Sequence, residues 1–308
     1  MTSAQYLAAI RQGLNDETAS TYKWSDAEII NYINSSFDDL SEDTEYFRDA
    51  YTTAIVEIAL VAGTADYALD SRILKINSAR VSGETVNLSQ MDMQDLMDYS
   101  ITWRYKNSIY GTDIAFTDNT PLVDTITCTT TDFTDANFED TDYLEITGCV
   151  TAANNKVVLC SDVAATTITL ASGVTLTTRV AGDPILLRSV NTDTPIKYTT
   201  DYRDDYITLY PAPNEVRKLF MHVNRYPLVP WTTANYSTET IPFNSHYHQA
   251  LINGPLSLAY LKSGPSTFNI DKSQIHEGKF TLLKKRIKRD LINMRNQGTI
   301  LSPHNGAM

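Results

Sequence analysis

The chain is 308 residues long, enough for two domains, and 42% of it is apolar, ordinary globular usage that excludes disorder throughout. Its 37 acidic and 25 basic residues leave a net charge of −12, which excludes a generally basic nucleic-acid binder. No apolar run approaches the roughly 18 residues of a membrane span, and three cysteines do not make a disulfide framework.

The opening residues, Met1 to Tyr6, lack the basic region and apolar run of a secretory signal, so a reduced, cytoplasmic folding environment is expected. Leu7, Ile10 and Leu14 then recur at helical spacing and predict a first helix over residues 4–14. Ser25 and Glu28 form a capping box, in which each side chain satisfies a backbone amide of the other. Trp24 before the cap and Ile29 inside the helix match a hydrophobic staple. Ile29, Ile30, Ile33, Phe37 and Leu40 trace one apolar face of this second helix. Asp38, Asp39, Glu42 and Asp43 fall on the other, which is expected to point at water. Alternation of Ala54, Val56, Ile58 and Leu60 predicts a strand beginning at Thr52. Further strands are expected at 67–69 and 73–81, then a short helix over 89–98.

Composition changes from about residue 112 to residue 190. Residues 117–178 include 17 threonines, and threonine favours strands over helices. Short apolar runs at 143–146, 156–159 and 167–170, separated by turn clusters, predict a small all-β domain inserted at 112–190. Strands resume at 206–210 and 219–224. A helix from Asn244 towards Lys262 is expected to kink at Gly254-Pro255. A last helix over 271–295 carries an apolar stripe of Phe280, Leu283, Ile287, Leu291 and Met294.

The predicted class is α+β. Helices from both ends of the chain close one bundle, a central antiparallel β layer belongs to the same discontinuous core (1–111 and 191–308), and 112–190 forms the inserted all-β domain. Charge is unevenly spread along the chain: residues 1–104 balance to −10, 105–195 to −8 and 196–308 to +6. Such asymmetry suits self-assembly or docking between unlike surfaces, the plain alternative being solvated surface.

Chemical motifs are sparse. There is no phosphate-binding glycine loop and no Gly-x-Ser-x-Gly elbow. His246 and His248 flank Tyr247, but residues two apart lie on different sides of a helix and have no ligand cluster beside them. Cys128, Cys149 and Cys160 read as small buried side chains. The acid-rich run 132–145 lacks the alternation and glycine of a calcium loop, and no carboxylate pair stands out for glycoside hydrolysis. No cofactor, metal or catalytic residue is therefore assigned. The candidate contact residues are the bases of the last helix, Lys279, Lys284, Lys285, Lys288, Arg289 and Arg295. They are read first as a docking contact, next as a solvated face, and third as contacts to DNA phosphates.

One set of motifs carries a resemblance. It comprises Leu14-Asn15-Asp16, Trp24-Ser25-Asp26-Ala27-Glu28-Ile29-Ile30, Tyr32-Ile33-Asn34, Leu60-Val61-Ala62-Gly63-Thr64 with Tyr67-Ala68-Leu69, Tyr206 to Pro213, and Ile241-Pro242 with the helix after it. In this order the motifs resemble head–tail adaptor proteins of tailed bacteriophages, over about residues 4–104 and 196–295. Asp142 to Gly148, Asn154-Asn155 and Ala181-Gly182-Asp183 are similar to a small β domain that recurs in phage structural proteins. The large insert and Gly254-Pro255 depart from the adaptor pattern.

The resemblance implies a virion structural protein at the head–tail neck, made in the host bacterial cytoplasm. It implies a homo-oligomeric ring, typically of about twelve copies, with the portal protein and a tail or nozzle protein as partners. Genomic DNA would pass through without sequence-specific binding, and no membrane would be involved. A different tail component (a nozzle or fibre-attachment ring) is the main alternative, and a carbohydrate-active enzyme a more distant one.

Overall fold

The computed structural model describes residues 1–18, 21–100, 102–264 and 266–299, with side chains described through Met294. The chain carries both helices and sheets and belongs to the α+β class. No helix among the described residues is long and apolar enough to cross a membrane.

Local chemistry sets the helix limits. Helix α1, Ser3–Leu14, opens on a capping box between Thr2 and Gln5 and closes where Asn15 turns left-handed. Helix α2, Asp26–Thr44, starts at the expected box: Ser25 Oγ accepts from the Glu28 amide, and a Glu28 carboxylate oxygen accepts from the Ser25 amide at 2.8 Å. The strand expected from Thr52 is instead one helical turn, α3, Thr53–Val56, followed by the strand Glu57–Ala59. The Thr52 carbonyl accepts from the amides of Ile55 and Val56, closing a turn too short to show its period in the sequence.

The helix expected over 89–98 is shorter, with a strand at Ser89–Gln90 and helix α4 at Met93–Tyr99. Asp92 fixes the later start by accepting from the Asp95 amide at 2.7 Å. Beyond it, a 3₁₀ turn at Ser245–Tyr247 leads into α5, His248–Leu251, and α6, Asn253–Ala259. The break falls at Ile252, just before the expected kink at Gly254-Pro255, because Pro255 has no N–H to offer the Leu251 carbonyl. Helix α7 is Ile270–Thr299.

Two compact units emerge. The first comprises Met1–Asp49, Arg72–Ile76 and the residues from Val223 on. Its core gathers Tyr6, Leu7 and Ile10 of α1, the apolar face of α2, Trp231 and Phe243, and Phe280, Leu283 and Ile287 of α7. Trp231 packs edge-on against Tyr6 and Phe37, and Trp24 donates its indole N–H to the Ala259 carbonyl at 3.1 Å.

The second unit comprises Ala50–Ser71 and Asn77–His222, so the whole of 112–190 lies inside it. Its largest sheet has seven strands in the order Tyr105–Gly111, Ile185–Val190, Tyr143–Thr147, Val157–Ala164, Thr167–Leu170, Thr125–Thr127 and Ala115–Thr117. All neighbours in it run antiparallel. Ile109, Phe116, Leu144, Ile168 and Leu187 share its apolar cluster with the three cysteines, which are buried free thiols.

Many of this unit's acids hold turns together. Asp118 accepts from the Thr120 hydroxyl and amide, Asp132 from those of Thr134, and Asp113 from Thr129, Thr130 and the Cys128 thiol. These donors, led by the threonine hydroxyls, hold all three carboxyls below the usual carboxylate range. Several threonines are therefore turn donors rather than the strand formers that composition implies.

Gly254 marks a close helix contact of the first unit. A Cβ there would stand 2.8 Å from Ser36 on α2 and 3.0 Å from the Phe280 ring on α7. Gly254→Ala is expected to destabilise the protein by about 1–3 kcal/mol. Gly278→Ala, where a Cβ would meet nothing within 4 Å, is expected to stabilise it by up to about 1 kcal/mol through helix propensity. Urea unfolding of both variants checks the contrast.

Candidate functional site

The rotation of α7 about its own axis is set by its apolar stripe. Phe280, Leu283 and Ile287 are buried in the first unit's core and Leu291 packs partly against it. Met294, expected to extend the stripe, is exposed, so the buried contact ends one turn early. At about 100° per residue, this setting distributes the bases of α7 over three sides of the helix.

Lys284 and Lys288, four residues apart, turn towards α2. The Lys284 ammonium lies 2.6 Å from Asp39 and 3.8 Å from Asp43, and 5.0 Å from the centre of the Phe280 ring. Lys288 lies 2.6 Å from Asp43. The α2 carboxylates expected to meet only water thus hold two of the candidate contact bases. Lys285 and Arg289 are exposed on the outward side, Arg289 with its Nε 3.7 Å from Asp290. Lys279 is exposed on the third side. The side chain of Arg295 lies outside the described residues.

The capping residues have structural partners. Glu28 receives the Lys262 ammonium at 2.8 Å, and that contact together with the Ser25 amide keeps its carboxyl below its ordinary value. Trp24 and Ile29 lie in one core cluster, as a staple would place them.

On the third side of α7 a groove of about 670 Å³ opens among α1, α5, α6 and α7. Lys279, Arg286 and His276 form one wall, with Gln12, Gln249 and Asn253 facing the same space. His276 sits with Nδ1 2.9 Å from the Asn253 amide oxygen and its ring stacked on Tyr260 at 5.7 Å. Burial, then Lys279 and Lys272, lowers its pKa. Arg286 lies 3.8 Å from Asp290, whose carboxylate also accepts the Tyr247 hydroxyl at 2.9 Å. Burial, with that bond, pushes the Tyr247 phenol up to about 12.

His246 lines the same groove, whereas His248 is buried with Nε2 2.7 Å from the Phe243 carbonyl oxygen. The two rings do not converge. Among the described residues no group of three or more His, Cys, Asp or Glu side chains is placed to hold a metal ion. Sequence reasoning did not pick out Gln12, Gln249, Asn253 or His276, and took Arg286 only as part of the basic run 284–289. The usable signal was spacing: Lys272, His276, Lys279 and Arg286 lie at i, i+4, i+7 and i+14, one flank of a helix.

Lys284→Ala is expected to cost about 1–2 kcal/mol, since it removes packed stem and ion pair together. Lys285→Ala should stay within about 0.5 kcal/mol, and chemical denaturation separates the two. For His276 the folded chain favours the neutral ring, so its contribution is present above the unfolded value near 6.5 and is lost as pH falls from there through the lower folded value. An imidazole titration followed by NMR should give a midpoint below 6.5 for His276, and His276→Gln should flatten the fall in stability below that pH.

A scan against protein-family models finds no match to this chain, and a search of curated proteins finds none either.

Proposed function

We propose that this chain is a virion structural protein of a tailed bacteriophage, a head–tail adaptor that docks on the portal and presents a surface to the tail. The observation that carries the reading is the outward side of α7. Ile275, Leu282 and Arg289 follow one another at seven-residue steps, with Lys285 and Ile292 beside them, all exposed. Leu282 is 66% exposed and Ile275 55%, on a helix that buries one side in the core and pairs Lys284 and Lys288 with α2. A long helix with outward apolar side chains interleaved with bases suits a mixed apolar and acidic partner surface.

In this reading helices from both ends of the chain form the bundle that carries α7. Residues 112–190 are an inserted β module on the outside of a ring of about twelve copies. The protein is made in the bacterial cytoplasm and resides at the neck, where DNA passes through the ring without sequence-specific contacts. The ordered sequence motifs support the same reading.

Leu282→Glu combined with Arg289→Glu is expected to weaken addition to DNA-filled heads about thirtyfold or more, as loss of a hot spot does. Particle titres and electron micrographs of the neck measure this. Normal titres, or wild-type protein located low on the tail, would reject the portal-docking reading.

A further inference from the structure

The groove on the third side of α7 has a chemistry of its own. Lys279, Arg286, His246 and His276 all face it, and its floor includes Ile252 and Leu256. Asp290 stands beside Arg286 and is already bound by Tyr247. A cationic rim over an apolar floor fits a short segment that offers carboxylates and one or two apolar side chains.

This chain presents such a segment in its second unit. Helix α4 carries Asp95 and Asp98 exposed on one side, with Met97 and Tyr99 exposed beside them. Asp92, Asp95 and Asp201 line one depression of about 330 Å³. Leu96 is fully buried with Trp103 and Tyr210, which holds the helix to its unit. The nearby cation Lys197 lies over the Tyr99 ring at 3.3 Å.

We infer that the groove bordered by Lys279 and Arg286 receives the acidic helix α4 of a second copy of this chain. The contact is heterologous: each copy uses a different surface towards each neighbour, the kind of interface that closes rings. Charge complementarity selects the occupant, since the unit holding α4 balances to −13 whereas the unit holding the groove balances to +1, and Asp95 and Asp98 match Lys279 and Arg286 in number and opposite sign. The inference rests on the ring-forming part of the proposed function and not on portal docking, which uses the outward side of α7.

A charge-exchange experiment on the full chain tests it. Sedimentation velocity at low salt should show wild-type self-association that fades with added salt. The pair Lys279→Glu and Arg286→Glu should weaken it about tenfold or more, and so should the pair Asp95→Lys and Asp98→Lys. Neither variant should assemble alone, whereas their equimolar mixture should, because each then offers the charge that the other lacks. Circular dichroism verifies that both are folded, and the mixture gives a positive signal that a misfolded variant could not produce.

Failure of the mixture to associate, or a wild type that stays monomeric at low salt, overturns the inference. So would binding of a labelled 20-base-pair duplex that needs Lys279 and Arg286 in a wild type that does not self-associate; the groove would then be a nucleic-acid surface. The Leu282→Glu, Arg289→Glu protein should self-associate normally, so loss of neck addition and loss of neighbour contact are read separately.

Discussion

The rotational setting of α7 governs what the rest of the first unit can offer. Three buried side chains, Phe280, Leu283 and Ile287, fix it. Paired surface charges add little to stability, so the Lys284 and Lys288 pairs with α2 follow from that setting more than they cause it. Lys284 is the exception in degree, because its stem is covered and its charge has two carboxylates within reach. Had the helix been turned by one residue, about 100°, the apolar stripe would face water and the bases would meet the core. The division of one basic run into an inward, an outward and a groove-facing group is thus a geometric consequence of where the apolar residues lie.

How much of this was legible varies from element to element. The start of α2 was readable because a capping box and its staple are local, encoded in six consecutive residues. The strand Ile73–Val81 was readable for the same reason, as nine residues show their period. The turn α3 was not, because four residues cannot distinguish a helix from alternation. The basic cluster was visible as composition, but its partners Asp39 and Asp43 are far away in the chain and come together only when α2 and α7 pack. The groove was harder still: it draws Gln12 from α1, Gln249 from α5 and His276 from α7, none of which is unusual in its own neighbourhood.

Gly254 and Pro255 show how a departure from a regular pattern can have a packing reason. Proline sets the break between α5 and α6, and glycine lets α6 approach α2 and α7 without a Cβ in the way. The two residues sit together where the chain turns slightly and then passes close to α2 and α7. The second unit also adds polar contacts to its apolar core. Arg104 grips Asp66 at 2.6 Å, and Tyr105 and Arg188 both donate to Glu145. The Arg104 contact ties the strand Asp66–Ala68 to the edge of the seven-stranded sheet, and the two bonds to Glu145 join strands within it.

The turn-holding aspartates carry a further meaning. A carboxylate that accepts a hydroxyl and one or more amides keeps its charge after ordinary surface carboxylates have taken up protons. Asp113, Asp118 and Asp132 are of that kind. The second unit therefore carries negative charge that an acidifying medium removes late. Mutual repulsion between copies, which keeps a concentrated protein dispersed, would persist in this unit where acids bound only to water had already fallen silent.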